Sequence, residues 1–262
     1  MYLGASLTES VTAQGLPEAV DAWADDAGAY PDLVPIWHPL PAGKPFPMQA
    51  MVELRQRGVE PMLYTRSTRN ALIDGKRVPD PAWHYRTWLA GDHDDVLDDL
   101  ANAAAMYDRR LIVRLDHEMS MKWCPWCGLD PALYIDAYSY IAERLRQAPN
   151  VKMYWCGWSN RSSEYYPGRA CDFIGFDKYS KRATWRPLDE DWRSAIRSMR
   201  KLHKSKRIIV GEFGRLSKYD DRHKWIKTVH DVRDVWGCVY FDVGGHGWVM
   251  TKWMKKKYMR TR

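Results

Sequence analysis

Apolar residues form eight short runs along the chain, and segments with a helical repeat separate these runs. The runs predict strands: YLGASL, LVPIWH, EPMLYT, RLIVRLDHE, VKMYWCGW, DFIGFDKYS, RIIVGEFG and GCVYFDVG. The centres of most runs are apolar at consecutive positions, which is typical of strands that are covered on both faces. The pattern therefore predicts a buried, parallel sheet.

The segments between the runs place apolar residues on one face of a predicted helix. In DPALYIDAYSYIAERLRQA they recur every three or four residues, and Asp130 followed by Pro131 predicts the start of a helix. The segments DEDWRSAIRSMRKLHK and DRHKWIKTVHDVRDVW repeat this period. Their polar faces are predicted to contact solvent.

Alternating strands and one-sided helices imply an α/β fold in which helices cover the outside of a parallel sheet. Eight repeats in 262 residues favour a closed barrel, and the Gly-x-Gly-x-x-Gly of a doubly wound sheet does not follow the first strand. We therefore predict a single (β/α)8 TIM barrel, one catalytic domain over residues 1–262, with a basic tail over residues 252–262. Residues 65–94 are rich in turn formers and are predicted to form a long loop.

Net charge does not indicate a nucleic-acid-binding protein. The chain carries a charge of +7, but six positive charges lie in residues 252–262, which leaves the rest nearly neutral. We interpret this tail as a solvated helix end in preference to a weak contact with a polyanion or a surface. Neither a membrane span nor a secretory signal is visible, and the protein is expected to be a monomer. The 14 tryptophans are an unusual number, and part of them would suit a groove that stacks sugar rings or bases.

The five cysteines do not describe a disulfide framework, because their number is odd and the chain is large. Cys124 and Cys127 in KWCPWC resemble a redox-active Cys-x-x-Cys, but the chain is too long and regular for a thioredoxin fold. A loop disulfide or plain thiols are favoured over a metal site shared with Cys156, since structural zinc requires four ligands. Cys171 and Cys238 are expected to be buried.

Charged and aromatic residues collect where the predicted strands end, which is where barrel enzymes carry their active sites. They are Trp37, His38, Arg114, His117, Glu118, Trp158, Asn160, Asp177, Tyr179, Glu212, Asp242 and Trp248. Any one of them alone would more often be a structural residue. However, Glu118 and Glu212 are expected at matching depth on the fourth and seventh strands. Two opposed carboxyl groups in an aromatic cleft are what glycoside hydrolysis requires.

Four motifs extend this interpretation. RLDHEMSMKW, IGFDKY, IIVGEFG and VYFDVGGHGW resemble, in this order, the motifs of strands four, six, seven and eight in glycoside hydrolase family 26. The resemblance spans residues 110–248. It implies a barrel enzyme that needs no metal or organic cofactor.

The resemblance also implies roles for individual residues. Glu118 would be the general acid/base and Glu212 the nucleophile of a retaining double displacement, with the two carboxyl groups about 5 to 5.5 Å apart. Tyr179 would donate a hydrogen bond to Glu212 and keep it ionised. Arg114 and His117 would fix Glu118 and the sugar nearest the cleavage point. The remaining residues implied to bind substrate are Trp123 and Trp248 as stacking platforms, and Asp177 at the adjacent subsite. His38, at the end of the second strand, is added to them as a substrate-binding candidate.

The expected activity is endo cleavage of a β-linked polysaccharide, most of all β-1,4-mannan. β-1,3-Xylan, mixed-linkage β-glucan and a bacterial envelope or capsular glycan remain open, because Ser120 and Met121 stand where the family continues its acid motif with Asn-Gly. A carbohydrate-binding barrel without turnover is the alternative from another class. It has no need for a proton donor opposite a nucleophile.

Overall fold

The structure is a computed structural model, and eight of its strands form the predicted barrel. It describes residues 1–7, 13–157, 160–180, 185–216, 218, 221–243 and 248–259. The strands are β1 (Tyr2–Ser6), β2 (Leu33–Trp37), β3 (Glu60–Thr65), β4 (Asn70–Ile73), β5 (Lys76–Pro79), β6 (Leu111–Leu115), β7 (Val151–Gly157), β8 (Phe173–Ser180), β9 (Arg207–Arg215) and β10 (Gly237–Phe241). The closed barrel has the order β1-β10-β9-β8-β7-β6-β3-β2, which confirms the predicted fold class.

Eight α-helices occur among the described residues. They are α1 (Leu16–Ala27), α2 (Met48–Gln56), α3 (Tyr85–Leu89), α4 (Asp94–Tyr107), α5 (Pro131–Leu145), α6 (Leu188–Leu202), α7 (Arg222–Lys227) and α8 (Lys252–Met259). The longest have 15 residues, and none of those described is long and apolar enough to cross a membrane. Two compact units can be distinguished, residues 1–36, 49–61 and 176–262 (the first unit) and residues 37–48 and 62–175 (the second unit).

In the first unit, β1 lies between β2 and β10, and β10 pairs with β9. Gly4 of β1 stands opposite Leu33 of β2. A Cβ atom at Gly4 would lie 2.7 Å from the backbone oxygen of Leu33, so only glycine allows the two strands to approach this closely.

Most of the basic segment predicted as a solvated helix end forms a helix that also has buried residues. Helix α8 packs against α1, and Met254, Tyr258 and Met259 are buried. Lys255 reaches Asp26 of α1 at 3.3 Å. Lys252 and Lys256 are exposed, so part of the charge is solvated while the apolar residues of α8 are buried. Residues 260–262 lie outside the described residues.

The helix predicted in DRHKWIKTVHDVRDVW is shorter than its apolar period suggested. Helix α7 ends at Lys227, and residues 228–231 form a 3₁₀ helix. Thr228 begins that turn, and its hydroxyl donates to the carbonyl of Trp225 at 2.7 Å and accepts from the amide of Leu188 at 2.9 Å. A side chain that bonds to the backbone in this way competes with helix continuation.

In the second unit, β6 lies between β3 and β7, and Val113 pairs with Leu63 on one side and Met153 on the other. The predicted start of α5 is confirmed. Asp130 caps the helix by accepting from the amide of Ala132 at 2.8 Å, and Pro131 occupies the first turn.

Residues 65–94 are not the open loop that was predicted. Strands β4 and β5 pair as an antiparallel hairpin, and Asp74 and Gly75 turn between them with φ of +50° and +72°. Positive φ at both central residues is the geometry of a type I′ turn, for which Asp-Gly is a preferred sequence. That dipeptide was the signal that could have identified the hairpin.

Replacing Gly4 with alanine is expected to lower the free energy of unfolding by about 1–3 kcal/mol, because the added methyl group overlaps the backbone of β2. Urea denaturation of the variant measures this change. Met106→Ala is the control, since Met106 is 80% exposed and its truncation leaves the core intact. An unchanged midpoint for Gly4→Ala would contradict the close pairing of β1 and β2.

Candidate active site

Glu118 lies in a turn beyond β6 and not on the strand itself. The strand ends at Leu115, so the predicted run RLIVRLDHE extends three residues beyond the carboxyl end of the strand. Asp116 and Glu118 have φ of +43° and +55°, in the left-handed region that residues with a side chain rarely adopt. Such a conformation persists only where its surroundings hold it.

Two backbone hydrogen bonds hold this turn. The amide of Asp116 donates to the carbonyl of Thr65 at the end of β3, at 3.1 Å. The amide of Glu118 donates to the carbonyl of Cys156 in β7, at 2.9 Å. The turn therefore continues the barrel's hydrogen bonding to both neighbouring strands after β6 has ended.

The carboxylate of Glu118 is held by a tryptophan. Trp123 donates from Nε1 to Oε2 of Glu118 at 2.9 Å. Glu118 is only 6% exposed, whereas Trp123 is 57% exposed. Trp123 was predicted as a stacking platform, and its exposure suits that role. The hydrogen bond to the acid was not predicted, because no local pattern indicates it.

His117 is enclosed by aromatic rings. It contacts Trp37, Trp123 and Trp126 with ring centroids 5.5–5.8 Å apart. Burial, with Arg114 and Arg66 nearby, holds the pKa of His117 well below its usual value, so the imidazole is neutral. A neutral ring can both donate and accept hydrogen bonds beside Glu118.

Cys124 and Cys127 form a disulfide, with Cα atoms 5.1 Å apart. Among the alternatives left open by the sequence, the structure therefore has the loop disulfide. Trp123 precedes the first cysteine, and Trp126 precedes the second and donates from Nε1 to the carbonyl of His117 at 2.6 Å. The short disulfide loop thus connects two tryptophans that are hydrogen-bonded to consecutive residues of the turn.

Arg114 lies beneath the turn. It has no exposed surface, and its guanidinium lies 4.4 Å from the ring centroid of Tyr64. The expected roles of Arg114, in fixing Glu118 and the nearest sugar, remain predictions.

His38 is also largely buried, at 8% exposure, and its ring contacts Phe46. Its backbone amide donates to the carbonyl of Tyr64 at 2.8 Å. Burial and the neighbouring Lys44 lower the pKa of His38. Its suggested contact with substrate remains a prediction.

In the first unit, Glu212 lies within β9 and is 7% exposed. The hydroxyl of Tyr179, in β8, donates to Oε2 of Glu212 at 2.5 Å, as predicted. One carboxyl oxygen of the buried Asp177 lies within 4.8 Å of one of Glu212. The phenol therefore supplies a hydrogen bond to a buried glutamate that has a second buried acid, Asp177, close to it.

Trp248 supports Tyr179. Their ring centroids are 4.9 Å apart, and Tyr240 donates to the backbone carbonyl of Trp248 at 2.7 Å. A Cβ atom at Gly214 would lie 3.1 Å from the ring of Trp248, so this glycine makes room for the ring. Trp248 is 8% exposed, and its suggested role as a stacking platform remains a prediction. Residues 244–247, which precede it in the quoted motif, lie outside the described residues.

Asp242, another residue predicted at a strand end, has hydrogen-bond partners within the first unit. Asp242 accepts from Nε1 of Trp23 at 2.9 Å and from the amide of Met250 at 2.7 Å, so it connects α1 to the segment before α8. Burial raises the pKa of Asp242. Asn160 lies in a 3₁₀ helix, and Trp158 lies outside the described residues.

Solved structures with the same fold include several enzymes of one family. The glycoside hydrolase family 26 domain of an endo-β-mannanase/endo-β-glucanase from Prevotella bryantii superposes with a TM-score of 0.75, at 13% identity, over 100% of this chain and 89% of that one. A family 26 β-mannanase from Bacteroides ovatus gives 0.69, at 15% identity, over 100% and 88%. A β-mannanase from a symbiotic protist of the termite Reticulitermes speratus gives 0.72, at 14% identity, over 100% and 87%.

No protein-family model matches the sequence, and no curated protein matches it. At 12–15% identity, the superpositions show that this chain shares the barrel fold of family 26 mannanases over its whole length.

The disulfide predicts a thiol count. Protein denatured without reductant is expected to release three thiols per chain in a titration with an aromatic disulfide reagent, from Cys156, Cys171 and Cys238. After reduction the count should rise to five. Five thiols without reduction, released together with zinc, would instead indicate a metal site.

Proposed function

We propose that this chain is a retaining glycoside hydrolase that cleaves a β-linked polysaccharide, with Glu118 as acid/base and Glu212 as nucleophile. The observation that carries the proposal is the hydrogen bond from Tyr179 to Glu212, because a phenol that holds a buried carboxylate is a suitable support for an ionised nucleophile. The surroundings of Glu118, in the second unit, support its assignment as the acid/base. It is a second buried glutamate at the end of a barrel strand, with an exposed tryptophan bonded to it.

The chemistry proceeds in two displacements. First, a carboxylate oxygen of Glu212 attacks the anomeric carbon while Glu118 gives its proton to the departing glycosidic oxygen. Glu118, now ionised, then takes a proton from water, and the water oxygen displaces Glu212 from the anomeric carbon. The negative charge of Glu212 also stabilises the oxocarbenium-like transition states.

Each residue has a contact suited to its task. The hydroxyl of Tyr179 donates to Oε2 of Glu212 and so can orient the carboxylate for attack. Trp123 bonds to Oε2 of Glu118 and presents a ring that is more than half exposed, on which a sugar could stack. Retention requires the two carboxyl groups about 5 to 5.5 Å apart, and we expect that separation between Glu118 and Glu212.

We propose β-1,4-mannan as the first substrate to test. The three similar structures are described as β-mannanases, one of them also as an endo-β-glucanase and one in complex with a gluco-manno-oligosaccharide. β-1,3-Xylan, mixed-linkage β-glucan and bacterial envelope or capsular glycans belong in the same screen. Ser120, which departs from the family motif, bonds to Ser162 at 2.9 Å and so alters the surroundings of the acid. We also propose that residues 1–262 act as one catalytic domain and as a monomer.

Glu118→Ala and Glu212→Ala are each expected to lose at least about 100-fold in kcat on the polysaccharide that the wild-type protein cleaves, since general acid–base catalysis alone contributes about 10²–10⁴. Chromatography of the products measures the rates. Azide distinguishes the two roles. It replaces the activated water in Glu118→Ala and yields a β-glycosyl azide, whereas in Glu212→Ala it replaces the nucleophile and yields an α-glycosyl azide.

Glu164→Ala is the matched control, because Glu164 is an exposed glutamate of the second unit. Full activity in either active-site variant would refute the mechanism. Binding of glycans without cleavage of any, by the wild-type protein, would favour the carbohydrate-binding barrel.

Tyr179→Phe is expected to lower kcat about 10- to 100-fold, because a hydrogen bond to a charged group contributes about 1.5–3 kcal/mol. Tyr30→Phe is the control, since Tyr30 also donates to a carboxylate, that of Asp21, but on the surface. Steady-state kinetics on the polysaccharide compare the two. Equal activity of Tyr179→Phe and wild type would show that the phenol does not support the nucleophile.

A further inference from the structure

A third carboxylate, that of Asp116, lies in the turn that carries Glu118 and has no part in the proposed chemistry. It is 1% exposed, and both of its oxygens accept hydrogen bonds. Oδ1 accepts from the amide of Ser67 at 2.8 Å, and Oδ2 accepts from the hydroxyls of Ser67 at 2.5 Å and of Tyr85 at 3.1 Å. Three donors thus converge on one buried acid.

These donors come from the ends of the segment that follows β3. Ser67 lies two residues beyond β3, and Tyr85 is the first residue of α3. Trp88, also in α3, donates from Nε1 to the carbonyl of Ser67 at 3.0 Å. The two ends of the segment that contains the β4–β5 hairpin are therefore joined by hydrogen bonds to and beside Asp116.

The main chain of Asp116 is held as firmly as its side chain. Its amide donates to Thr65, and its carbonyl accepts from the hydroxyl of Tyr134 at 3.4 Å. The left-handed φ values at Asp116 and Glu118 are disfavoured for residues with a side chain, so these contacts must hold the turn.

Burying a carboxylate in a protein interior costs free energy, because the charged group loses its hydration. Burial raises the pKa of Asp116 to about 6, although the bonds from Ser67 and Tyr85 act in the opposite direction. An apolar side chain would fill the site without this desolvation, but it could not bond to all three donors. The geometry therefore favours a role for Asp116 in fixing the turn.

We propose that Asp116, held by Ser67 and Tyr85, is a positioning residue that fixes the direction in which Glu118 presents its carboxyl group. The inference rests on the proposed function for its catalytic consequence, since Glu118 is the acid/base there. Asp116 itself touches no substrate. Asp116 fixes the turn that carries Glu118, and Ser67 and Tyr85 hold the side chain of Asp116 in place.

The first test needs no substrate. Trp123 bonds directly to Glu118, so the ¹⁵N–¹H resonance of its indole Nε1 reports the position and ionisation of that carboxyl group. The resonance is assigned by its absence from the spectrum of Trp123→Phe. Asp116→Asn keeps the shape of the side chain but changes its charge and its acceptors, and it is expected to shift the resonance and its pH midpoint. Asp98→Asn, which alters a carboxylate bonded to Arg144, is expected to change neither.

The second test separates proton donation from the other steps. A dinitrophenyl β-glycoside has a leaving group that needs no proton, whereas the polysaccharide requires one from Glu118. Asp116→Asn is expected to lose about 10- to 100-fold in kcat on the polysaccharide, as a small misplacement of a catalytic group does. It should form the glycosyl-enzyme from the dinitrophenyl substrate at the wild-type rate. A structural defect would lower both rates equally.

The outcomes distinguish the two proposals. A wild-type protein that cleaves neither the glycans nor the dinitrophenyl glycoside refutes the proposed function, while the indole titration still decides whether Asp116 positions Glu118. An unchanged titration in a folded Asp116→Asn protein overturns the inference, whatever the activity. If Asp116→Asn does not fold, Tyr85→Phe removes only one of the three donors, and the same titration then decides.

Discussion

The amide of Glu118 donates to the carbonyl of Cys156, and this bond at 2.9 Å holds the turn on which the candidate acid lies. The strand β6 has already ended three residues earlier, so its regular pairing no longer determines the path of the chain. Without the bonds from Glu118 and Asp116 to the neighbouring strands, the left-handed residues would relax toward more favourable conformations. The positions of His117, Trp123 and Trp126 relative to Glu118 all depend on this turn.

Buried charges in both units follow one physical rule, which is that a charge removed from water needs a partner. Glu212 has Tyr179, and Asp116 has Ser67 and Tyr85. Arg215, with no exposed surface, forms two bonds of 2.7 Å to Asp221. Glu212 lies within β9, Arg215 is the last residue of that strand, and Asp116 follows the end of β6. The candidate site therefore uses the same polar contacts that make the strand ends stable.

Some tryptophans pack in the core, and others are exposed to solvent. Five of them are fully buried: Trp88, Trp126, Trp155, Trp192 and Trp225. Much of the excess that suggested a stacking groove thus belongs to the core. Among the described tryptophans, Trp123 is the exposed one that also bonds to a candidate catalytic residue, and this combination makes it the best candidate for a sugar platform.

The sequence by itself determined the barrel, because strand and helix periods are local properties that recur eight times. It also indicated the start of α5 at Asp130, and the four motifs indicated Glu118, Glu212 and the bond from Tyr179. The Asp-Gly turn of the hairpin was present in the sequence, although it was interpreted as part of a loop. Only the tertiary structure decided that β6 ends at Leu115, that α8 packs against α1 and that Ser67, Tyr85 and Asp116 meet. These features depend on contacts between residues that are far apart in the chain, and no local period encodes such contacts.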